Sequence, residues 1–98
     1  MSARNNFIIK PNYSYALAEV MTGGVSMMTK IPIRISEPSL TKEQLAKLNY
    51  YGFNTEQYSE STPILTATIT ADMIDGMSEL TFLTTIDLDG LVIINGSL

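Results

Sequence analysis

The chain contains no cysteine and no histidine. Without cysteine there is no disulfide framework, no thiolate metal site and no thiol nucleophile. Without histidine the commonest general base and the commonest metal ligand are missing. Most hydrolytic and zinc chemistry is thereby excluded, and carboxylates are the main chemical resource left. Long apolar runs are missing too: no stretch approaches the roughly 20 residues of a transmembrane helix. Met1-Ser2-Ala3-Arg4-Asn5-Asn6 leads into only three apolar residues, Phe7-Ile8-Ile9, too few for the core of a signal peptide. The expectation is a soluble, intracellular protein with no membrane partner. Its 98 residues fit one domain, and with 45% hydrophobic and 16% charged residues it is not disordered.

Positive charge is absent from half of the chain. Arg4, Lys10, Lys30, Arg34, Lys42 and Lys47 are all the basic residues. Residues 1–48 carry six basic and three acidic side chains (+3), and residues 49–98 carry none and seven (−7), which sum to the net −4. An acidic half repels a phosphate backbone, so nucleic acid is not an expected partner. Two readings of the split stay open. The halves attract each other across helices, or an acidic surface meets a basic partner or helix N-termini.

From Lys30 onward the pattern resolves into elements. Ile31, Ile33 and Ile35 alternate with Pro32, Arg34 and Ser36, the signature of a strand with one buried face. Thr41 is an N-cap candidate for a helix with Glu43 and Gln44 in its first turn and Leu45, Leu48 and Tyr51 along one face. Gly52 supplies its stop. Residues 53–58 read as a second strand and residues 64–69 as a third, with Leu65, Ala67 and Ile69 opposite Thr66, Thr68 and Thr70. Thr70 caps a second helix over residues 71–80, and residues 84–89 form the last strand. The order β-α-β-β-α-β predicts an α+β, ferredoxin-like antiparallel sheet with two helices on one face. The other face carries Arg34, Thr66, Thr68, Thr85, Asp87 and Asp89. Residues 1–29 form an extension that is a candidate strand former, with a strand or short helix over residues 13–21 and a turn at Gly23-Gly24. The domain proper spans residues 30–98, ending in the apolar run Leu91-Val92-Ile93-Ile94.

Three phrases carry a family resemblance: Leu40-Thr41-Lys42-Glu43-Gln44-Leu45-Ala46-Lys47-Leu48 running into Tyr51-Gly52-Phe53; Leu65-Thr66-Ala67-Thr68-Ile69-Thr70-Ala71-Asp72-Met73; and Leu80-Thr81-Phe82-Leu83-Thr84-Thr85-Ile86-Asp87-Leu88-Asp89. Over residues 30–90 the chain resembles the prosegments of subtilisin-like proteases and the free-standing inhibitors built on the same fold. The resemblance implies a non-catalytic protease inhibitor or folding chaperone whose bare sheet face packs on two surface helices of a subtilisin-like serine protease. Asp87 and Asp89 fall on the family's helix-capping acids, and the tail through Val92, Ile93, Ile94 and Asn95 falls where the family's C-terminal strand enters the active site. No cofactor is implied. The tail is longer than the family's, and residues 1–29 have no counterpart in it. The alternative is therefore a structural or assembly protein, a small homo-oligomer or virion-type component, that self-associates through the apolar segments 7–9 and 91–94. An enzyme built on Asp87 and Asp89 would need further ligands, a phosphate loop or a nucleophile, none of which the sequence provides.

Overall fold

The computed structural model describes residues 7–90. These residues form α1 (Tyr15–Met21), β1 (Lys30–Ser36), α2 (Lys42–Tyr50), β2 (Ile64–Thr70), α3 (Ala71–Met77) and β3 (Ile86–Leu88). The three strands make an antiparallel sheet in the order β2-β1-β3. The fold is thus a small α+β arrangement with three helices.

Local chemistry starts each helix where the chain leaves an extended segment. Ser14, Thr41 and Thr70 are N-caps whose hydroxyls accept from Leu17, Gln44 and Met73 amides respectively. At α2 the cap is reciprocal, since the Gln44 side chain accepts the Thr41 amide at 2.9 Å. α2 then ends in a Schellman motif. The Phe53 amide donates to Leu48 O at 3.1 Å and the Gly52 amide to Asn49 O at 3.0 Å, with Gly52 at φ +112.

That motif accounts for the main departure from the sequence reading. Residues 53–58 are expected as a strand, but they form turns. Phe53 is buried against Leu48 in one core as part of the helix stop. Asn54 Oδ1 accepts the Glu56 amide at 3.0 Å, an Asx turn. The Tyr58 hydroxyl donates to Glu37 O and accepts the Leu40 amide. Side-chain anchors at both ends of the segment take the place of a ladder. The last strand is also shorter than expected, Ile86–Leu88 in place of 84–89.

The core lies between one face of the sheet and the helices. Ile31, Ile33 and Ile35 of β1, Leu65 and Ile69 of β2 and Ile86 of β3 are buried together with Leu17 and Met21 of α1, Leu48 of α2, and Ile74 and Met77 of α3. The N-terminal segment is part of this core rather than an appendage. It contributes a helix and a single bridge, Tyr13 pairing parallel to Ile86, in place of a full strand. The Ile86 amide donates to Asn12 O at 2.7 Å and the Ser14 amide to Ile86 O at 2.9 Å, which closes the outer edge of β3. No helix among the described residues is long and apolar enough to cross a membrane.

Candidate functional site

The uncovered sheet face is built by strand alternation. With Ile31, Ile33 and Ile35 pointing into the core, Pro32, Arg34 and Ser36 face outward. Register then sets the neighbours: Arg34 lies between Thr66 of β2 and Asp87 of β3, and Pro32 lies beside Thr68. The Asp89 amide donates to Pro32 O at 2.9 Å, so the ladder runs one pair past β3 and sets Asp89 opposite Pro32. Arg34, Thr66, Thr68, Thr85 and Asp89 are exposed. Asp87 and Asp89 therefore share this face, as expected from their spacing.

Asp87 is already engaged. Its carboxylate lies 3.5 Å from the Arg34 guanidinium and accepts the Leu88 amide at 2.8 Å. The neighbouring Ser14 hydroxyl holds its pKa below the usual carboxylate range, helped by the Leu88 amide and Arg34 and opposed by partial burial. The consequence for stability has a definite sign. A depressed folded pKa contributes stability above the unfolded value of about 3.9 and loses it as pH falls through the lower folded value. The side chain is 40% exposed, so the contribution is under about 1 kcal/mol. Asp87→Asn is expected to show a shallower loss of stability as pH falls below about 4 than the parent chain in urea titrations. An unchanged acid limb would remove Asp87 from the acid response.

Arg34–Asp87 belongs to a wider pattern. The ion pairs among the described residues are Lys10–Asp75, Lys10–Glu79 and Arg34–Asp87, and each joins the basic first half to the acidic second. The expected attraction of the halves across helices is not what is found: the pairs run from Lys10, ahead of α1, to Asp75 and Glu79, and across the sheet from Arg34 to Asp87. Lys42 and Lys47 of α2 make no ion pair among the described residues.

A second concavity lies away from the sheet face. A cleft of about 450 Å³ is lined by Ile9, Lys10, Pro11, Tyr13, Tyr15 and Ala18 among others. Lys10 at its margin bonds Glu79 at 3.0 Å; this bond raises its pKa, burial lowers it, and Asp75 adds to the rise. Burial pushes the Tyr13 phenol up, against the pull of the nearby Ser78 hydroxyl. The Tyr13 hydroxyl and Asn12 Oδ1 are buried with no hydrogen-bond partner among the described residues. Asn12 Nδ2 does bond, to Ser78 O at 3.1 Å and Leu83 O at 3.4 Å. Sequence reasoning missed this clasp of residues 10–14 onto α3 and β3. Its one legible trace was Ser14 three residues before Leu17, an N-cap spacing.

No group of three or more acidic side chains that could hold a metal ion occurs among the described residues. Val92, Ile93, Ile94 and Asn95, the expected tail contacts, lie outside the described residues. The chain matches no protein-family model, no curated protein and no solved structure.

Proposed function

We propose that this chain is a non-catalytic protein-binding module that docks a partner through its bare sheet face, in the manner of a subtilisin propeptide acting as inhibitor or folding chaperone. The observation that supports this reading is the face itself: helices cover one side of the sheet, and the other presents Thr66, Arg34 and Asp87 in one row beside Thr68 and Asp89. The reading takes the sheet as a ferredoxin-like one that lacks one edge strand, since α2 follows β1 and α3 follows β2 as that motif requires. A carboxylate fixed on a strand and ionised well into acid is suited to accept the free amides of a helix N-terminus. Arg34 orients Asp87 across the sheet face, and Asp89 at the ladder's end is exposed for a second such contact.

The test is a titration against a panel of subtilisin-type proteases, following residual activity. Stoichiometric inhibition that survives prolonged incubation is expected. The Asp87→Ser/Asp89→Ser variant is expected to weaken it about tenfold, the loss of about 1.4 kcal/mol. Digestion of the chain as a substrate, or unchanged affinity in that variant, would overturn the reading. A second reading, self-association through apolar terminal segments, is favoured by Ile8 and Ile9, which are 72% and 60% exposed next to Tyr15 at 80%. An Ile8→Ser/Ile9→Ser variant with the same solution mass as the parent at every concentration would dismiss it.

A further inference from the structure

We infer that the outer edge of β2 is a docking site for a second copy of this chain, and that two copies pair β2 to β2 about a twofold axis at Ala67. The two edges of the sheet are treated differently. Residues 12–14 close β3, whereas on the outer side of β2 no strand or loop among the described residues bonds Ile64, Thr66 or Thr68, and only the Thr70 C=O is taken, by the first turn of α3.

The groups left open can be named. The Glu37 amide donates to Pro63 O and the Ala71 amide to Thr29 O. Stepping by two along the register between these bonds, Leu65, Ala67 and Ile69 exchange bonds with β1. The N–H and C=O groups of Ile64, Thr66 and Thr68 and the N–H of Thr70 are therefore left open on the outer side, the Thr70 C=O being taken by the first turn of α3. The strand has none of the usual edge protections: within Ile64–Thr70 there is no charge, no proline and no glycine, and the register to β1 is continuous, without a bulge. An uncharged edge brings no like charges together when it meets itself, which matters in a chain of net charge −4.

The edge is also self-complementary. Antiparallel pairing centred on Ala67 sets Ile64 against Thr70 and Thr66 against Thr68 of the second copy, with Ile64, Thr66 and Thr68 offering both N–H and C=O and Thr70 its N–H. The open groups of Thr66 and Thr68, the Thr70 N–H and the Ile64 C=O are then satisfied, in about six hydrogen bonds. The side chains match face by face. Thr66–Thr68 pairs lie on the bare face, Leu65–Ile69 pairs on the core face, and the small Ala67 meets its own copy at the axis. Ala67 is half-buried in the single chain. The result is a six-stranded sheet, β3-β1-β2 continued by β2-β1-β3, whose bare face stays open. The seam holds seven residues a side, well below the roughly 20–30 of a standard interface, so the dimer is weak and forms with concentration.

The experiment is sedimentation equilibrium from about 10 μM to about 1 mM with amide hydrogen exchange by NMR over the same range. A monomer–dimer equilibrium is expected, with protection of the Thr66, Thr68 and Thr70 amides rising with concentration. Thr68→Pro removes one outward donor at a position where proline is tolerated on an edge and leaves the bonds to β1 intact. It is expected to weaken dimerisation at least tenfold with the circular dichroism spectrum unchanged. Should that variant fail to fold, Thr66→Lys/Thr68→Lys opposes like charges across the same seam with the same expected loss. A monomer at 1 mM, a dimer indifferent to these variants, or protection of those amides that does not change with concentration would overturn the inference, the last by assigning the edge to another segment of the same chain. None of these outcomes bears on the bare face, which the protease titration tests separately.

Discussion

Leu17→Ala is expected to destabilise the protein by about 3 kcal/mol, within the range of roughly 2–5 for a fully buried leucine. Leu17 is completely buried in α1, and Met21, one turn on, is equally so. A domain of this size has a total stability of roughly 5–15 kcal/mol, so the single change removes a large share of it. At roughly 4–8 °C per kcal/mol, Tm falls by about 12–24 °C. The reason is placement. α1 packs on β3, the shortest strand, and residues 12–14 supply the backbone partners of Ile86. The check is thermal unfolding of the variant with amide exchange at Ile86, where protection is expected to fall with that of α1. A Tm within about 2 °C of the parent would show that residues 7–29 are an appendage on a core that stands without them.

The legibility of the fold varied with how local its causes are. β1 was readable because its isoleucines alternate without interruption, and the two later helices because Thr41 and Thr70 cap them through bonds three residues ahead. The segment 53–58 departs from its local pattern because its fate depends on distant atoms. Glu37 O and the Leu40 amide take Tyr58, and a helix stop takes Phe53. Apolar and polar residues that alternate by chance here satisfy separate anchors. α1 was ambiguous for a different reason: seven residues are too few for helical and strand periods to separate. Ser14 settles it as a cap, and Ile86, more than seventy positions away, settles the edge it covers.

The site was legible by composition and not by partner. Alternation alone put Arg34, Thr66, Thr68, Asp87 and Asp89 on one face. It did not show that Arg34 stands directly across from Asp87, because that depends on the register between strands some fifty residues apart. The pairing changes the chemistry of the surface: a lone carboxylate would face solvent, whereas this one is oriented by a guanidinium and an adjacent amide. Glu37 is the comparable surprise in the interior. It is a buried acid whose Oε2 accepts from the Thr84 amide at 2.8 Å and the Thr84 hydroxyl at 2.9 Å. It ties the end of β1 to the approach to β3, and nothing in the local pattern of residues 36–38 announces it.

Gly52→Ala is the other substitution with a large expected effect, because two independent penalties meet at one atom. The residue sits at φ +112, a region where a side chain costs roughly 1–3 kcal/mol. The added Cβ would also lie 2.9 Å from Ile69 Cγ2. That methyl is on a β-branched side chain, attached directly to Cβ, so it cannot swing aside without changing a buried rotamer. Together these predict a loss of about 3 kcal/mol and a fall in Tm of roughly 12–24 °C. The two causes separate in a double-mutant cycle with Ile69→Ala, which removes the clashing methyl and leaves the backbone strain. A favourable coupling of about 1 kcal/mol or more is expected between the two changes. A loss under about 0.5 kcal/mol for Gly52→Ala would mean that the helix stop does not press on β2. The close approach also bears on the open edge. It seats the C-terminal end of α2 on the core side of β2 at Ile69, so the helix stop covers that strand from one face while the outward backbone groups of Ile64, Thr66 and Thr68 have no partner among the described residues. Relaxing the stop by substitution is therefore expected to loosen β2 itself, and amide exchange at Ile69, which bonds to β1, should rise together with the loss of stability.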